Sequence, residues 1–300
     1  MPCPAHSGLA ASAGALHQAA RAKINLDLRV IGRRPDGFHE LVSLVAFASI
    51  GDVVSLTPAP EFSLTIDGPF AGALDGENLI TKAALYAKLA ATGKRWQSGA
   101  IHLTKNLPVA AGLGGGSADA AATLNLLGQA NPQAAPHIDW HAIARRLGAD
   151  VPVCLSSVAA HMTGIGERLT PVPDLPPAAI LLANPRVPLA TAEVFRALKA
   201  PAIDANTVLS SAPTFRDFDD LIAQLAASRN DLEAVARHLC PPIAAVLAKL
   251  EQLPGQRLVR MSGSGPTCFA LFATLAEAEV AQALLNATAP ELWSAAGLLQ

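Results

Sequence analysis

The chain has 300 residues, of which 51% are hydrophobic and 15% charged, and its formal net charge at pH 7 is −2. A chain of this length and apolar content can bury a large core, and we expect two domains. The charge balance lacks the broad basic field with which proteins hold nucleic-acid phosphates, and only 4% of the residues are aromatic. We therefore expect no nucleic-acid partner and disfavour an RNA-binding module. The sequence does not predict an oligomeric state.

Residues 1–20 lack the charged start and the continuous apolar stretch of a signal peptide. We interpret them as a flexible extension, with a transit peptide as the alternative. No apolar run of roughly 18 residues is present to span a membrane. Four cysteines lie far apart, without a C-x-x-C pair or zinc-ligand spacing, which is typical of reduced thiols. These features predict a cytoplasmic protein without a membrane partner.

The amino-terminal part is predicted to be rich in antiparallel sheet. From Ala22, AKINLDLRVIG alternates apolar and polar residues, which predicts a strand with Lys23 and Asn25 on its polar face. A Pro-Asp-Gly turn signal follows in RRPDGFHEL, and the run LVSLVAFASIGDVVSLTP predicts strands broken at Gly51 and Asp52. EFSLTIDG predicts one more strand.

The next segment alternates helices and strands. ENLITKAALYAKLAATG predicts a helix with a glycine stop, and AIHLTKNLPV predicts a strand that ends before a glycine-rich loop. A second helix is predicted over Trp140–Leu147, and ADVPVCL after Gly148 is interpreted as a strand. A proline-rich linker places the domain boundary near 168, which divides the chain into domains 21–168 and 169–300. The linker prolines are Pro171, Pro173, Pro176 and Pro177.

The rest of the chain is also predicted to contain both strands and helices. AAILLANP predicts a buried strand, and helices are predicted near Thr191–Leu198, Phe218–Ala227 and Asp231–Leu250. RLVRMSGSGPTCFALFA predicts a strand with its own glycine turn, and a helix over Leu275–Ala287 closes the chain. Because strands and helices interleave without a regular β-α-β repeat, the predicted fold class is α+β.

The stretch LPVAAGLGGGSADAAATL, residues 107–124, places four glycines directly before a helix-forming run. A helix start offers unpaired N–H groups and the positive end of the helix dipole, and glycines let the backbone wrap closely around an anion. The loop matches neither the dinucleotide-binding pattern nor the Walker loop. Glycine content alone leaves a phosphate site and a plain tight turn as alternatives.

This loop, with AKINLDLRVIGRRPDGFHEL, LGADVPVCL and MSGSGPTCFALF in that chain order, resembles the GHMP kinases, which are ATP-dependent small-molecule kinases without a Walker loop. The resemblance extends from about Arg21 to Phe272. Its most specific part is the Lys-x-Asn start with the Pro-Asp-Gly-Phe-His turn. That part implies that the chain is one of the members that phosphorylate the 2-hydroxyl of a cytidine diphosphate-linked methylerythritol in the non-mevalonate isoprenoid pathway. It also implies a two-domain architecture with the active site in the cleft between the domains.

The resemblance implies that ATP and Mg²⁺ bind at the glycine loop. Ser117 is the candidate contact for a phosphate oxygen or for Mg²⁺, and its alternative role is to cap a helix that begins near Ala118. Asn78 and Lys105 match positions near the nucleotide in related enzymes. The candidate nucleotide-binding residues are Pro108, Val109, Ala110, Ala111, Gly112, Leu113, Gly114, Gly115, Gly116, Ser117, Ala118, Asn78 and Lys105.

Asp150 and Lys23 are the candidate catalytic residues. Local sequence favours a simple turn aspartate in Gly-Ala-Asp-Val-Pro, but the family pattern places its catalytic aspartate within this string. As a base, Asp150 would hold or accept the proton of the substrate hydroxyl. Lys23 is either a solvated lysine or, as the resemblance implies, the charged partner of Asp150. The resemblance also implies that Asn25 orients the polyol.

Phe38, His39 and Phe195 are the candidate acceptor-binding residues. The resemblance implies that Phe38 and Phe195 stack on the two faces of cytosine while His39 reads the base edge. The alternatives are that Phe38 packs on the sheet and that Phe195 is a core residue of an amphipathic helix. Phe38 replaces the tyrosine that is commoner in relatives, and Ala110 and Ala111 stand where some relatives have glycine.

Two other functions stay open at this point. A different kinase of the same superfamily, acting on a mevalonate-like, homoserine-like or sugar substrate, would not need the aromatic clamp. A nucleotide-binding regulator could keep the fold without catalysis, although the joint presence of Lys23 and Asp150 argues against it.

Overall fold

The computed structural model describes residues 14–74, 78–93, 95–204, 207 and 209–300. Within them, the strands are β1 (Leu16–Asn25), β2 (Arg29–Arg33), β3 (His39–Thr57), β4 (Ser63–Asp67), β5 (Ala100–Thr104), β6 (Ala160–Gly164), β7 (Arg168–Pro171), β8 (Ala178–Asn184), β9 (Leu258–Met261), β10 (Cys268–Phe272) and β11 (Trp293–Leu299). The helices are α1 (Leu79–Ala90), α2 (Gly115–Ala130), α3 (Trp140–Leu147), α4 (Val151–Ser156), α5 (Thr191–Leu198), α6 (Phe218–Ala226), α7 (Glu233–Leu239), α8 (Pro242–Glu251) and α9 (Leu275–Thr288). Single 3-10 turns lie at Ala71–Ala73 and Ala135–His137.

The long strand β3 organises an 11-stranded sheet. β3 pairs antiparallel with β1, β2, β5 and β6, and β4 adds to β5 in parallel. In the second half, β8 pairs antiparallel with β10 and β11, and β10 continues to β9. β11 also meets β3 where Leu299 lies opposite Ala48. The sheet therefore connects the two halves of the chain through its last strand.

Three apolar clusters fill the interior. The first packs helices α1 to α4 on the amino-terminal strands and includes Phe47 and Leu124. The second packs α5 and α7 to α9 on β8 and β10 and includes Phe272. The third contains residues of both halves, such as Ile24 and Ile180. Because this third cluster is shared, β1 and the loops around it lie between the two halves.

Four of the described helices, α1, α3, α6 and α9, begin at a side chain that accepts from an N–H group of the first turn. Asn78 and Asp139 accept from the backbone N–H groups of Ile80 and Ala142 at the starts of α1 and α3. Thr274 starts α9 with a reciprocal bond to Glu277. α2 is rich in buried alanines, and these small side chains let it lie against β1, α1 and α4. This packing positions the glycine loop that precedes α2.

The α+β class and the amino-terminal antiparallel sheet are confirmed. The predicted break at Gly51 and Asp52 is wrong, because β3 runs through it, and only the partner β1 shifts register between Arg21 and Lys23. The predicted strand from Ala22 is also two strands, since β1 ends at Asn25. β1 begins at Leu16, inside the expected extension, where pairing with β3 outweighs the weak strand propensity of the sequence. Residues 1–13 of that extension lie outside the described residues.

Three further expectations are corrected. ADVPVCL forms the short helix α4 instead of a strand, because proline is well suited to a first helical turn and a short apolar run does not distinguish the two. The helix expected over Asp231–Leu250 is two helices, α7 and α8, which are separated at Cys240 and Pro241. β11 follows the helix that was expected to close the chain. A boundary at 168 would fall on the first residue of β7, which pairs with β6.

None of the helices in the described ranges has both the length and the hydropathy that a membrane crossing requires.

Candidate active site

The glycine loop connects β5 to α2 and lies against the turn between β9 and β10. The Ser262 hydroxyl donates to the Gly112 carbonyl oxygen at 3.2 Å, and the Thr267 N–H donates to the Ala111 carbonyl oxygen at 3.3 Å. Gly112 has φ +72°, and a Cβ there would lie 2.6 Å from the Gly265 carbonyl oxygen. Only glycine satisfies both conditions, because an L side chain is strained at this φ and would collide with backbone. The loop is thus held in place by the second glycine turn.

We expect Gly112→Ala to lower the free energy of unfolding by about 1 to 3 kcal/mol, since it adds both backbone strain and a backbone clash. ATP affinity should fall with it, because the loop cannot keep its position against Ser262. Chemical denaturation and nucleotide titration measure the two effects. The matched control is Gly72→Ala, whose Cβ would meet no atom within 4 Å. Equal stability and equal ATP affinity for both variants would contradict the packing argument.

The helix α2 begins at Gly115, three residues earlier than expected. Gly114 precedes it in the left-handed conformation, with φ +62°, and provides no side-chain cap. The capping role considered for Ser117 is therefore wrong, because Ser117 lies inside the first turn. The first-turn N–H groups of a helix have no intrahelical acceptors. Ser117 and the three glycines before it line a cavity of about 490 Å³, so the positive end of α2 faces this cavity.

Most of the predicted nucleotide-binding residues line this cavity: Lys105 and every residue from Pro108 to Ser117. Two others lie elsewhere. The Asn78 side chain accepts from the Ile80 N–H as the cap of α1, and Ala118 is buried in the core. Leu74 and Leu79 add an apolar side to the cavity. The arrangement combines a backbone cradle suited to phosphates with an apolar wall suited to a base.

Lys23 and Asp150 form an ion pair inside the same cavity, with 2.6 Å between Nζ and Oδ1. β1 supplies Lys23, whose side chain is 5% exposed, and the corner between α3 and α4 supplies Asp150, whose side chain is 35% exposed. The Lys23 N–H also donates to the Leu113 carbonyl oxygen at 2.9 Å. The carboxylate therefore faces the cavity beside a buried cation that is tied to the glycine loop.

Asn25 is fixed on the same strand face. Its side-chain amide donates to the Ser43 hydroxyl at 2.7 Å, and its backbone N–H donates to the Ser262 hydroxyl at 3.1 Å. Asn25 lines the cavity, and no hydrogen bond between described residues uses its Oδ1. This oxygen is available to accept from a hydroxyl of a bound molecule.

Beneath the loop, Lys105 is held by two buried carboxylates that no sequence motif indicates. Lys105 Nζ lies 2.6 Å from Asp52 Oδ2 and 2.7 Å from Asp119 Oδ2. Asp52 also accepts from the N–H groups of Asn106 and Leu107 at 2.6 and 2.8 Å. A Cβ on Gly115 would lie 3.2 Å from Lys105 Nζ, so the ammonium lies directly under the start of α2. The cluster links β3, β5 and α2 at the base of the cavity.

Burial is the largest single influence on the pKa values of Asp119 and Lys105. It raises the pKa of Asp119 to about 7, an effect that the Lys105 charge opposes and the Asp52 charge reinforces. Burial also acts to lower the pKa of Lys105, but the two carboxylates more than offset it and the net shift is upward. Asp119 Oδ1 is buried and has no hydrogen-bond partner in the described structure. The ammonium of Lys105 is accordingly committed to neutralising buried carboxylates.

The three predicted acceptor-binding residues lie together at a second cavity of about 650 Å³, formed by the turn before β3 and by α5. The rings of His39 and Phe195 have centroids 5.1 Å apart. Phe38 is 58% exposed, so it does not pack on the sheet. Phe195 contacts two of the apolar clusters, as expected for a core residue, and it also lines this cavity. Burial, followed by the charge of Arg33, lowers the pKa of His39.

The two cavities adjoin, since five residues line both of them. These are Leu41, Ala149, Ile165, Thr191 and Phe195. Gly263 and Ser264 of the second glycine turn also line the first cavity, and the hydroxyls of Ser264 and Thr191 lie 2.8 Å apart. A single elongated molecule could thus reach from the aromatic residues to Asp150.

Mg²⁺ has few candidate ligands in the protein itself. No group of three or more His, Cys, Asp or Glu side chains that could hold a metal ion occurs in the described part of the chain. The Ser117 hydroxyl and the Asp150 carboxylate are oxygen ligands of the kind that Mg²⁺ prefers, and both line the cavity. These residues fit an ion held mainly by phosphate oxygens and water.

Comparison with known proteins assigns the chain to a family. The family model of the GHMP kinases N terminal domain matches residues 78–157, and that of the GHMP kinases C terminal matches residues 208–291. The 4-diphosphocytidyl-2-C-methyl-D-erythritol kinase of Rhodopseudomonas palustris strain BisB18 is 48% identical over 297 residues, which cover 96% of each chain. The enzyme of the same name from Rhizobium johnstonii is 48% identical over 93% of this chain and 92% of its own.

Comparison with solved structures gives the same family. A crystal structure of 4-(cytidine 5'-diphospho)-2C-methyl-D-erythritol kinase superposes with a TM-score of 0.73 at 35% identity, covering 95% of this chain and 99% of that chain. Homoserine kinase from Cytophaga hutchinsonii superposes with a TM-score of 0.62 at 19% identity, covering 98% of this chain and 97% of that chain, and shares the fold. Kinases of this family act on small molecules and use ATP. The chain belongs to the 4-diphosphocytidyl-2-C-methyl-D-erythritol kinase family of the GHMP kinases.

Proposed function

We propose that the protein transfers the γ-phosphoryl group of ATP to the 2-hydroxyl of 4-diphosphocytidyl-2-C-methyl-D-erythritol, giving the 2-phosphate and ADP, as a step of the non-mevalonate isoprenoid pathway. The observation that carries this proposal is that two cavities adjoin and share a wall: one contains the glycine loop and the Lys23–Asp150 pair, and the other contains Phe38, His39 and Phe195. The names of the close relatives support the same acceptor. They also favour a kinase over a non-catalytic regulator.

Asp150 is the proposed base. Its carboxylate is partly exposed in the cavity, where an acceptor hydroxyl can approach, and accepting that proton contributes typically ~10²- to 10⁴-fold to a rate. Lys23 holds the carboxylate at 2.6 Å. Its fixed positive charge would also stabilise negative charge that develops on the transferring group. Asn25 would orient the polyol through its free Oδ1.

The residues from Pro108 to Ser117 would hold the phosphates of ATP with backbone N–H groups and with the start of α2. Mg²⁺, when bound to these phosphates, supplies charge neutralisation. Ser117 is the proposed side-chain contact to a phosphate oxygen or to Mg²⁺. Lys105 is proposed to support this site from below, since both of its carboxylate partners are buried.

Phe38 and Phe195 would stack on cytosine, and His39 would read the base edge. Phe38→Ala should weaken acceptor binding by about 5- to 150-fold, because stacking on one base contributes about 1 to 3 kcal/mol. The acceptor KM and direct titration with cytidine measure this loss. Leu89→Ala removes a comparably exposed apolar side chain on α1 and serves as the control. An unchanged acceptor KM in Phe38→Ala would remove the clamp from the proposal.

The experiment that tests the reaction is identification of the product by ³¹P NMR. We expect a new phosphomonoester signal that is assigned to a phosphate on carbon 2 of the acceptor. The amount of this product should equal the amount of ADP. Phosphorylation of another hydroxyl, or ADP without a phosphorylated product, would overturn the assignment.

A cytoplasmic location is also part of the proposal. Cys154, Cys240 and Cys268 are buried free thiols in the described structure, which is the usual state of cysteines in a reducing compartment.

A further inference from the structure

A third cavity, the reverse-face cavity, lies apart from the candidate active site and has a volume of about 410 Å³. Its ionisable lining residues in the described structure are Asp27, Arg29, His161 and Arg229. None of the described residues that line it also lines either cavity of the candidate active site. A cavity of this volume is typical of sites for small molecules.

The reverse-face cavity and the active-site cavity lie on opposite faces of the same strands. Leu41 of β3 and Met162 of β6 line the active-site cavity, whereas their neighbours Val42 and His161 line the reverse-face cavity. Successive side chains of a strand point to opposite faces of a sheet. A molecule in the reverse-face cavity would therefore contact the strands of the active site without entering it.

His161 is the most deeply buried of the ionisable residues in this lining, since it is only 5% exposed. Its ring forms no hydrogen bond with any residue of the described ranges, yet it is absent from the fully enclosed unpartnered atoms, so its nitrogens reach the cavity. Burial lowers the pKa of His161, an effect that the Asp27 charge opposes. The neutral ring has one donor and one acceptor, and both are available to a bound molecule.

Asp27 is held beside His161 by strand β3. Leu44 lies opposite His161 in the pairing of β3 with β6, and its N–H donates to Asp27 Oδ1 at 2.6 Å. Burial raises the pKa of Asp27, while the Arg260 charge acts in the opposite direction. A carboxylate can accept about four hydrogen bonds, so Asp27 retains capacity for hydroxyl groups of a ligand.

Two arginines supply positive charge to the same cavity. Arg29 is exposed and forms no ion pair with a residue that the structure describes. Arg229 pairs with Asp231 through its Nε, and no hydrogen bond between described residues uses its terminal nitrogens. Guanidinium groups match the geometry of phosphate oxygens and bind them with charge-assisted hydrogen bonds. The lining thus combines an anion-binding part with a hydroxyl-binding part.

We infer that the reverse-face cavity is a second ligand site, which binds a small phosphorylated polyol. Arg29 and Arg229 hold the phosphate, and His161 and Asp27 hold hydroxyl groups. A hydroxyl both donates and accepts, so it satisfies the carboxylate and the neutral imidazole together. The inference does not depend on the proposed acceptor, because no residue of the aromatic clamp or of the phosphate cradle takes part in it.

The test is calorimetric titration with D-erythritol 4-phosphate, in the presence of excess ADP and CDP to occupy the active-site cavities. The histidine ring signals are followed by NMR in the same titration, and the His161 signal is assigned by its loss in His161→Phe. Arg29→Gln and His161→Phe should each weaken binding by about three- to tenfold. Arg95→Gln, at an exposed arginine outside this cavity, is the matched control and should change the affinity by less than about twofold.

Each variant is first checked for unchanged thermal unfolding. His161→Gln keeps a donor and an acceptor, so it should bind more tightly than His161→Phe and provides a second variant if the phenylalanine destabilises the protein. Erythritol and inorganic phosphate should each bind at least about tenfold more weakly than the phosphorylated polyol, because each lacks one set of contacts.

Three results would overturn the inference. The first is the absence of binding, with an unchanged His161 signal. The second is inorganic phosphate that binds as tightly as D-erythritol 4-phosphate, which would reduce the site to an anion contact. The third is wild-type affinity in Arg29→Gln and in both His161 variants, which would place the bound polyol elsewhere on the protein.

Discussion

Asp150→Asn should lower kcat by about 10²- to 10⁴-fold and change ATP affinity far less. The substitution keeps the shape of the side chain but removes its ability to accept a proton, and Asp150 lies in the cavity beside Lys23 and not under the phosphate cradle. Steady-state ADP release with the cytidyl acceptor measures kcat, and titration with ATP measures the affinity. The pattern separates a chemical role from a general weakening of the site.

The same substitution leaves the Lys23 ammonium, which is 5% exposed, without its carboxylate partner. Thermal unfolding of Asp150→Asn is therefore measured beside the kinetics, so that a partly unfolded sample is not counted as a catalytic loss. Asp174→Asn, on an exposed turn between β7 and β8, is the matched control and should keep full activity. Turnover of Asp150→Asn within a few-fold of wild type would remove Asp150 from the role of base.

Lys105→Met should lower the free energy of unfolding by about 3 to 5 kcal/mol. It removes the one cation that contacts Asp52 and Asp119, and leaves two carboxylates buried in the described structure without a neutralising partner. Because the cluster lies under Gly115, loss of ATP binding should accompany the loss of stability. Denaturant unfolding measures the effect, and Lys88→Met, on the exposed side of α1, should be nearly neutral.

Second-site substitutions test whether this cluster stabilises the protein through its charges or through the shape of its side chains. Asp119→Asn added to Lys105→Met removes one buried charge and should restore part of the lost stability. Asp52→Asn added to that pair should restore more, since the amide oxygen that it introduces can still accept from the Asn106 and Leu107 N–H groups. If the triple variant is no more stable than Lys105→Met, the cluster does not act through its charges.

Much of the fold follows from local pattern, and the differences have tertiary causes. The predicted boundaries of α3 and α5 agree with the structure; Asp139 caps α3 and Gly148 ends it, whereas α5 has no side-chain cap. β11 was missed since WSAAGLL lacks β-branched residues, and it becomes a strand through pairing with β8 and β3. β3 appeared broken because Gly51 and Asp52 are typical of turns. The structure instead uses this glycine where a Cβ would lie 2.4 Å from the Ala20 carbonyl oxygen.

In the candidate site, too, some residues were indicated by the sequence and others are brought together only by tertiary packing. The family resemblance that the short motifs carry implied site roles for Lys23, Asp150 and the glycine loop, and the structure brings these residues to one cavity, although their functional roles remain proposals. Asp52 and Asp119 carry no comparable signal. Asp52 looked like a turn residue, and Asp119 lies in an alanine-rich helix, so their burial around Lys105 depends on how β3, β5 and α2 meet.

The most direct test of the central claim is ADP release from ATP and Mg²⁺ with the cytidyl-methylerythritol acceptor, measured beside mevalonate, homoserine and galactose. We expect turnover with the cytidyl compound alone. Turnover with one of the other acceptors and none with the cytidyl compound would contradict the proposed function, while the fold and the phosphate cradle would stand.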